Sequence, residues 1–261
     1  MANMTGPTAL AVARSRAAVM AELRRLMPRM AEQRKPLPFG LAAIDSHLPD
    51  GGLACGALHE IVPEVESCIA AALGFIAAVL ARLAYPLLFV MPAYGLRPYR
   101  PHGRLHGHGL NALGLDPARL ILVETAHRKE TLWAMEEAVR SAAPAAVVGI
   151  IDTLDLKLSQ RLHLAATDAG VPLFLLRPAA TLESSAAATR WHIGTAAAAR
   201  DRFGLVTQPR WHLQLERCRN GRPGQWVVEY DHVAHRFSLA AALADFSRAR
   251  GAGEKSIKQA S

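Results

Sequence analysis

Short apolar runs alternate with helix-like apolar stripes along most of the chain, the pattern of a protein built from strands and helices in turn. The run Ala57-Leu-His-Glu-Ile-Val62 is short and follows glycine turns, so residues 57–62 are predicted as a buried strand. A helix is predicted over 69–83, then a strand at 87–90, a helix near 105–113 and a strand at 120–124. Next come a helix over 130–141, a strand at 145–152, a helix over 159–169 and a strand at 173–176. Gly170-Val-Pro172 stops the last of these helices. Strands apolar on both faces and separated by helices mean an α/β fold with a mostly parallel sheet sandwiched by helices. After residue 177 the pattern changes. Residues 189–193 alternate as a strand, and 211–217 with 225–230 bracket Asn220-Gly-Arg-Pro-Gly224, a hairpin signal with a long loop. With a last strand near 236–239, these add an antiparallel C-terminal extension to one edge of the sheet.

The N-terminal segment carries one further helical stripe. Val12, Val19 and Leu26 share it, Ala13, Met20 and Met27 lie beside it, and Leu23 and Met30 complete the face. An Arg-rich, acid-poor segment imitates an organellar transit peptide. An apolar helical face also requires a surface to cover. Residues 1–35 are therefore read as an N-terminal interaction helix and linker, with Val12, Met20, Leu23 and Met27 as its contact residues. Residues 36–245 form the α/β core with its hairpin extension, and 246–261 a flexible tail.

At 261 residues the chain holds one sizeable domain plus extensions, and 51% hydrophobic with 20% charged residues fits a packed core. The uncharged run 69–81 is short of the roughly 20 residues of a membrane span. Cys55, Cys68 and Cys218 form no Cys-x-x-Cys pair, which fits a reducing cytoplasm. A net charge of +8 admits a polyanion such as DNA as partner. The arginine bias among the basic residues, with only five lysines, is equally what a GC-rich coding sequence gives.

Strand, short loop, helix is the geometry in which loop amides and a helix N-terminus cradle a phosphate. Here the loop reads Pro63-Glu64-Val65-Glu66-Ser67-Cys68. It has no glycine to wrap a phosphate, no lysine occurs between Lys35 and Lys129, and two glutamates would repel a triphosphate. The loop is read as a degenerate phosphate loop that binds no cofactor. Gly251-Ala-Gly-Glu-Lys-Ser256 has neither the strand before it nor the helix after it that a phosphate loop requires. His102, His106 and His108 have no fourth ligand at a familiar spacing, so no metal is predicted. No Gly-x-Ser-x-Gly elbow anchors a hydrolase triad. Basic and aromatic residues interleave late in the chain, making Arg190, Arg210, Arg217, Arg219 and Arg222 candidate DNA or partner contacts. Trp191 and Trp211 are read either as stacking platforms or as residues packed into the sheet.

The lead-in Gly51-Gly-Leu-Ala-Cys-Gly56 before the first strand resembles that of the RecA recombinases. Leu110-Asn-Ala-Leu-Gly-Leu-Asp-Pro-Ala-Arg-Leu-Ile-Leu-Val-Glu124 and Val147-Val-Gly-Ile-Ile-Asp152 resemble the segments around the third core strand and the Walker B strand of that family. Thr189-Arg-Trp191, Arg210-Trp-His-Leu-Gln-Leu215 and Asn220-Gly-Arg-Pro-Gly224 are similar to the ImuA mutagenesis proteins in particular. The resemblance implies a RecA-like, P-loop NTPase-type fold. Ala93 stands where the family's water-activating glutamate would be, and Asp152 where its magnesium ligand would be. The counterparts of the family's two DNA loops, 153–157 and 178–188, hold one basic residue, Lys157, beside Asp155 and Glu183. The expectation is a non-catalytic accessory protein of SOS-induced mutagenesis that acts in the cytoplasm. Its partners would be an ImuB-like Y-family protein and an error-prone replicative-type polymerase, with self-association, RecA contact and direct DNA binding as further expectations. A divergent ATPase of recombination and a SulA-like division inhibitor are the alternatives.

Overall fold

The structure is a computed structural model that describes residues 35–84, 86–92, 105–181, 183–200 and 202–240. The expected N-terminal helix with Val12, Met20, Leu23 and Met27, together with Ala93, His102 and the 246–261 tail, lies outside these residues.

After a single helical turn, α1 (Ala42–Asp45), nine strands and four longer helices follow among the described residues. In chain order they are β1 (Leu58–Pro63), α2 (Ile69–Leu80), β2 (Leu87–Pro92), α3 (Gly107–Ala112) and β3 (Leu120–Thr125). Next are α4 (Arg128–Arg140), β4 (Ala146–Ile150), α5 (Leu156–Ala169) and β5 (Leu173–Leu176). The chain then runs through β6 (Thr189–Arg200), β7 (Val206–Cys218), β8 (Gly224–Asp231) and β9 (Arg236–Leu239). All nine strands join one sheet in the order β3-β2-β4-β5-β1-β6-β7-β8-β9. Every neighbouring pair from β3 to β6 is parallel, and the pairs from β6 to β9 are antiparallel. The α/β class, the mostly parallel sheet and the antiparallel C-terminal strands expected from the pattern are all present. The arrangement is compatible with a RecA-like fold.

Two apolar layers explain the burial. On one face α2 is apolar almost all round and packs with Phe39, Trp191, Trp211, Tyr230 and Phe237 against β1 and the antiparallel strands. A helix of that composition has to be covered on several sides. On the other face α4 and α5 cover β2, β4, β5 and β1 through Leu132, Met135, Leu162 and Ala166. Gly149 in β4 lets α4 come close, because a Cβ there would lie 1.8 Å from Met135 Sδ. Trp191 and Trp211, 0% and 5% exposed, are core residues.

Several boundaries differ from the pattern for identifiable reasons. α5 begins three residues early because Asp155 caps it, its carboxylate accepting from the Leu158 amide at 2.7 Å. β6 runs seven residues past 193 through a stretch of alanines that shows no alternation. β7 begins at Val206 despite Pro209, which sits in an irregular stretch of the β6 pairing and beyond the β8 pairing, where a missing N–H is tolerated.

Candidate functional site at the carboxyl ends of the parallel strands

Ligands of open α/β sheets bind outside the carboxyl ends of the strands, and that is where β1 delivers its loop. Pro63 ends the strand, Val65 is extended at φ −139°, and one 3-10 turn over Glu66–Cys68 leads into α2. Two of the loop's amides are already committed. Glu64 N donates to Ile193 O at 2.9 Å and Cys68 N to Val65 O at 2.8 Å. The two carboxylates reach in opposite directions. Glu64 pairs with Nδ1 of His212 on β7 and lies directly over Gly194, where a Cβ would come 1.9 Å from its Oε2. Glu66 Oε1 accepts from Ala179 N at 3.1 Å, spanning from β1 to the chain leaving β5. Pro63, Cys68 and Ile69 are buried, while Val65 and Ser67 are exposed. The residues present do not fit a nucleotide: anionic groups lie where anionic phosphates would lie, and two amides a cradle would use are spent.

Asp152 follows β4. Its Oδ1 accepts from the Thr153 amide at 2.7 Å and the Thr153 hydroxyl at 3.4 Å, so the carboxylate is tied to its own turn. Among the described residues no three His, Cys, Asp or Glu side chains are grouped to hold a metal ion. His106 caps α3 by accepting from Gly109 N at 3.3 Å, with the His108 ring 5.3 Å away.

Behind the loop lies a charge cluster that the motif reading did not single out. Glu60 in β1 is fully buried. Its Oε1 accepts from Arg177 Nη1 at 3.3 Å and its Oε2 from Arg190 Nε at 2.8 Å. Arg177, fully buried just beyond β5, also reaches Asp152 O at 3.5 Å and pairs with the Glu183 carboxylate. Arg190 Nη2 donates to Glu183 O at 2.7 Å. The cluster therefore ties the middle of β1 and the start of β6 to the ends of β4 and β5 and to the 178–188 loop. A signal was available: Glu60 and Arg177 are charges set within or just after otherwise apolar strands, and such charges are almost never buried unless paired.

His59 faces the other side of β1 and is also fully buried. A chain of hydrogen bonds fixes its tautomer. Trp191 Nε1 donates to Thr189 Oγ1 at 3.1 Å, the Thr189 hydroxyl lies 2.8 Å from His59 Nδ1, and Nε2–H donates to Ala54 O at 2.9 Å. Burial pushes the imidazole pKa down from 6.5 to about 4. Above pH 6.5 the ring is neutral folded and unfolded; between 6.5 and about 4 only the unfolded chain takes up the proton. Stability is therefore complete above pH 6.5 and falls by about 3 kcal/mol as pH drops to 4. Urea titrations at pH 7 and 5 should show that slope, and His59→Asn should flatten it. An equal slope in both proteins would count against a neutral buried His59.

The candidate arginines go to different places. Arg190 is 8% exposed and engaged in the cluster, so it is an interior residue and not a surface contact. Arg210 pairs with Glu229 across β7 and β8. Arg217 Nη2 donates to Ser185 O at 2.9 Å and Ala187 O at 3.2 Å, and Arg219 Nη2 to Ala186 O at 3.2 Å. Those two meet over the same three residues of the 178–188 loop. Arg222 turns away to Ser46 O at 3.3 Å. Arg217, Arg219 and Arg222 are exposed, and backbone carbonyls of neighbouring segments accept from Nη2 of each.

No family model matches the chain. Among curated proteins, "Protein ImuA" of Caulobacter vibrioides (strain NA1000 / CB15N) is 33% identical over 235 residues, covering 82% of this chain and 94% of that protein. The protein of the same description in Caulobacter vibrioides (strain ATCC 19089 / CIP 103742 / CB 15) matches with the same figures.

Proposed function

The chain belongs to the ImuA family, and on that premise we propose that it is a RecA-like accessory protein of SOS-induced mutagenesis that turns over no nucleotide. In this reading it supports error-prone translesion synthesis in the cytoplasm by protein contacts, with an ImuB-like Y-family protein and an error-prone replicative-type polymerase as partners. The supporting observation is the β1 loop, whose Glu64 and Glu66 are held by His212 and by the Ala179 amide where a nucleotide's phosphates would be expected. A scaffold that has spent its phosphate site on internal bonds is suited to presenting surfaces. Among the described residues no helix is long and apolar enough to cross a membrane.

Calorimetric titration of the full chain with Mg-ATP tests the nucleotide part of this reading. No saturation is expected below millimolar nucleotide, since a phosphate entering the loop would face two carboxylates at short range. Saturable binding in the micromolar range, with phosphate release above background, would assign the protein to the ATPases instead.

A further inference from the structure

β6 and β7, at 12 and 13 residues, outrun the strands on either side of them. Pairing of β6 with β1 stops at Ile193 opposite Pro63, and pairing of β7 with β8 stops at Arg210 opposite Glu229. Beyond those points, among the described residues, the two strands pair in the sheet only with each other. They form a ribbon that continues past β1 from the end where its loop begins, as Gly194 beneath Glu64 marks. Two-stranded ribbons are marginal in water on their own.

The tip of this ribbon is apolar and cationic. Phe203, Leu205 and Val206 are 71%, 64% and 60% exposed, three of the large apolar side chains the fold leaves in solvent, set within four residues. Gly204, at φ +79°, makes the turn that brings them together. Arg200 and Arg202 flank them. Arg200 Nη1 donates to Gly204 O at 2.6 Å, and the Arg202 guanidinium lies over the Phe203 ring at 4.7 Å. The two arginines are thus held beside the apolar side chains, and Asp201 is the only acid between Thr195 and Pro209.

We propose that this tip is the docking surface for an acidic, apolar segment of a partner protein. The partner's apolar side chains seat on Phe203, Leu205 and Val206, and its carboxylates lie against Arg200 and Arg202. Exposed apolar groups rimmed by charge are the usual form of a protein contact. The charge selects an acidic partner. A nucleic-acid strand fits less well: tracking a phosphate backbone takes a row of cations and several stacking rings. The tip offers two arginines, one ring and two aliphatic side chains. This inference rests on the reading that the protein works through protein contacts, and it names the surface.

The test compares the full chain with Phe203→Ser/Leu205→Ser and Arg200→Glu/Arg202→Glu. Purified ImuB-like protein is the immobilised probe, and circular dichroism melts establish that each variant is folded. Both variants should bind about tenfold or more weakly than the unaltered chain, and the arginine variant should lose most of the salt dependence. If the unaltered chain binds and folded variants bind equally well, the tip is not the surface, while the functional reading stands. If the unaltered chain does not bind the probe, both fall. Sedimentation velocity and anisotropy of a labelled oligo-dT strand are run on the same samples. Loss of self-association or of oligo-dT binding in the variants, with capture of the probe intact, would give the tip to a second copy or to nucleic acid and overturn the proposal.

Discussion

Replacing Glu60 with leucine should lower the unfolding free energy by about 3–5 kcal/mol, the usual cost of stranding a buried charge. The substitution removes the fully buried carboxylate that the Arg177 and Arg190 guanidiniums share, leaving Arg177 only its pair with the partly exposed Glu183 carboxylate. Arg177→Met should cost less, because Glu60 keeps Arg190 at 2.8 Å. The triple change Glu60→Leu/Arg177→Met/Arg190→Met should recover part of the loss, since apolar side chains often replace a buried ion cluster without penalty. Recovery should stop short of the original stability, because Asp152 O and Glu183 O lose their donors. Urea midpoints for the four proteins decide the matter. A Glu60→Leu variant as stable as the parent would mean that the cluster contributes nothing to holding β1 to its neighbours.

Trp191→Ala should be comparably damaging, at about 3–5 kcal/mol for a buried tryptophan. Trp191 is fully buried, with Phe39, Phe75 and Trp226 rings at 5.3, 6.0 and 6.1 Å. Its indole N–H also starts the hydrogen-bond chain that ends at Ala54, so truncation reaches His59 as well. Trp226→Ala, at a half-buried ring, is the milder control. The measurement separates the two sequence readings of the Arg-Trp pairs. A core tryptophan shifts the thermal midpoint. A stacking platform leaves the midpoint alone and weakens binding of single-stranded DNA, and that second outcome would remove Trp191 from the core.

The alternating strands and helices were legible because each buried strand is a short apolar run between turn residues, as 146–150 and 173–176 are. The loop after β1 was legible for a different reason. Missing glycines and lysine are visible without coordinates. Where its carboxylates go was not, because His212 is 148 residues from Glu64 and Ala179 is 113 from Glu66. Long-range partners leave no periodic trace. The hydrogen-bond partners of the arginines were hidden for the same cause: Arg217 meets carbonyls more than 29 residues away, at Ser185 and Ala187. The ribbon was hidden by composition, since four alanines in a row show no alternation and by propensity alone favour a helix. Only its partner strand decides what they become.

Where β1 sits in the sheet has a consequence for how the protein is made. Leu58 pairs with Leu173 and His59 with Thr189, so both neighbours of this strand are synthesised long after it. His59 and Thr189 are 130 residues apart, which at ordinary translation speeds is a delay of about 7–26 s. Until Leu173 emerges this apolar strand carrying His59 and Glu60 has no hydrogen-bonded neighbour on either edge, and until Thr189 emerges it has one on only one edge. Non-local pairing of this kind is slow to form and open to misassociation meanwhile. The antiparallel hairpins of β6 to β9 are local by comparison, and they emerge last. The nascent chain therefore closes its centre only when its end arrives, and β6 acts as the clasp that completes it.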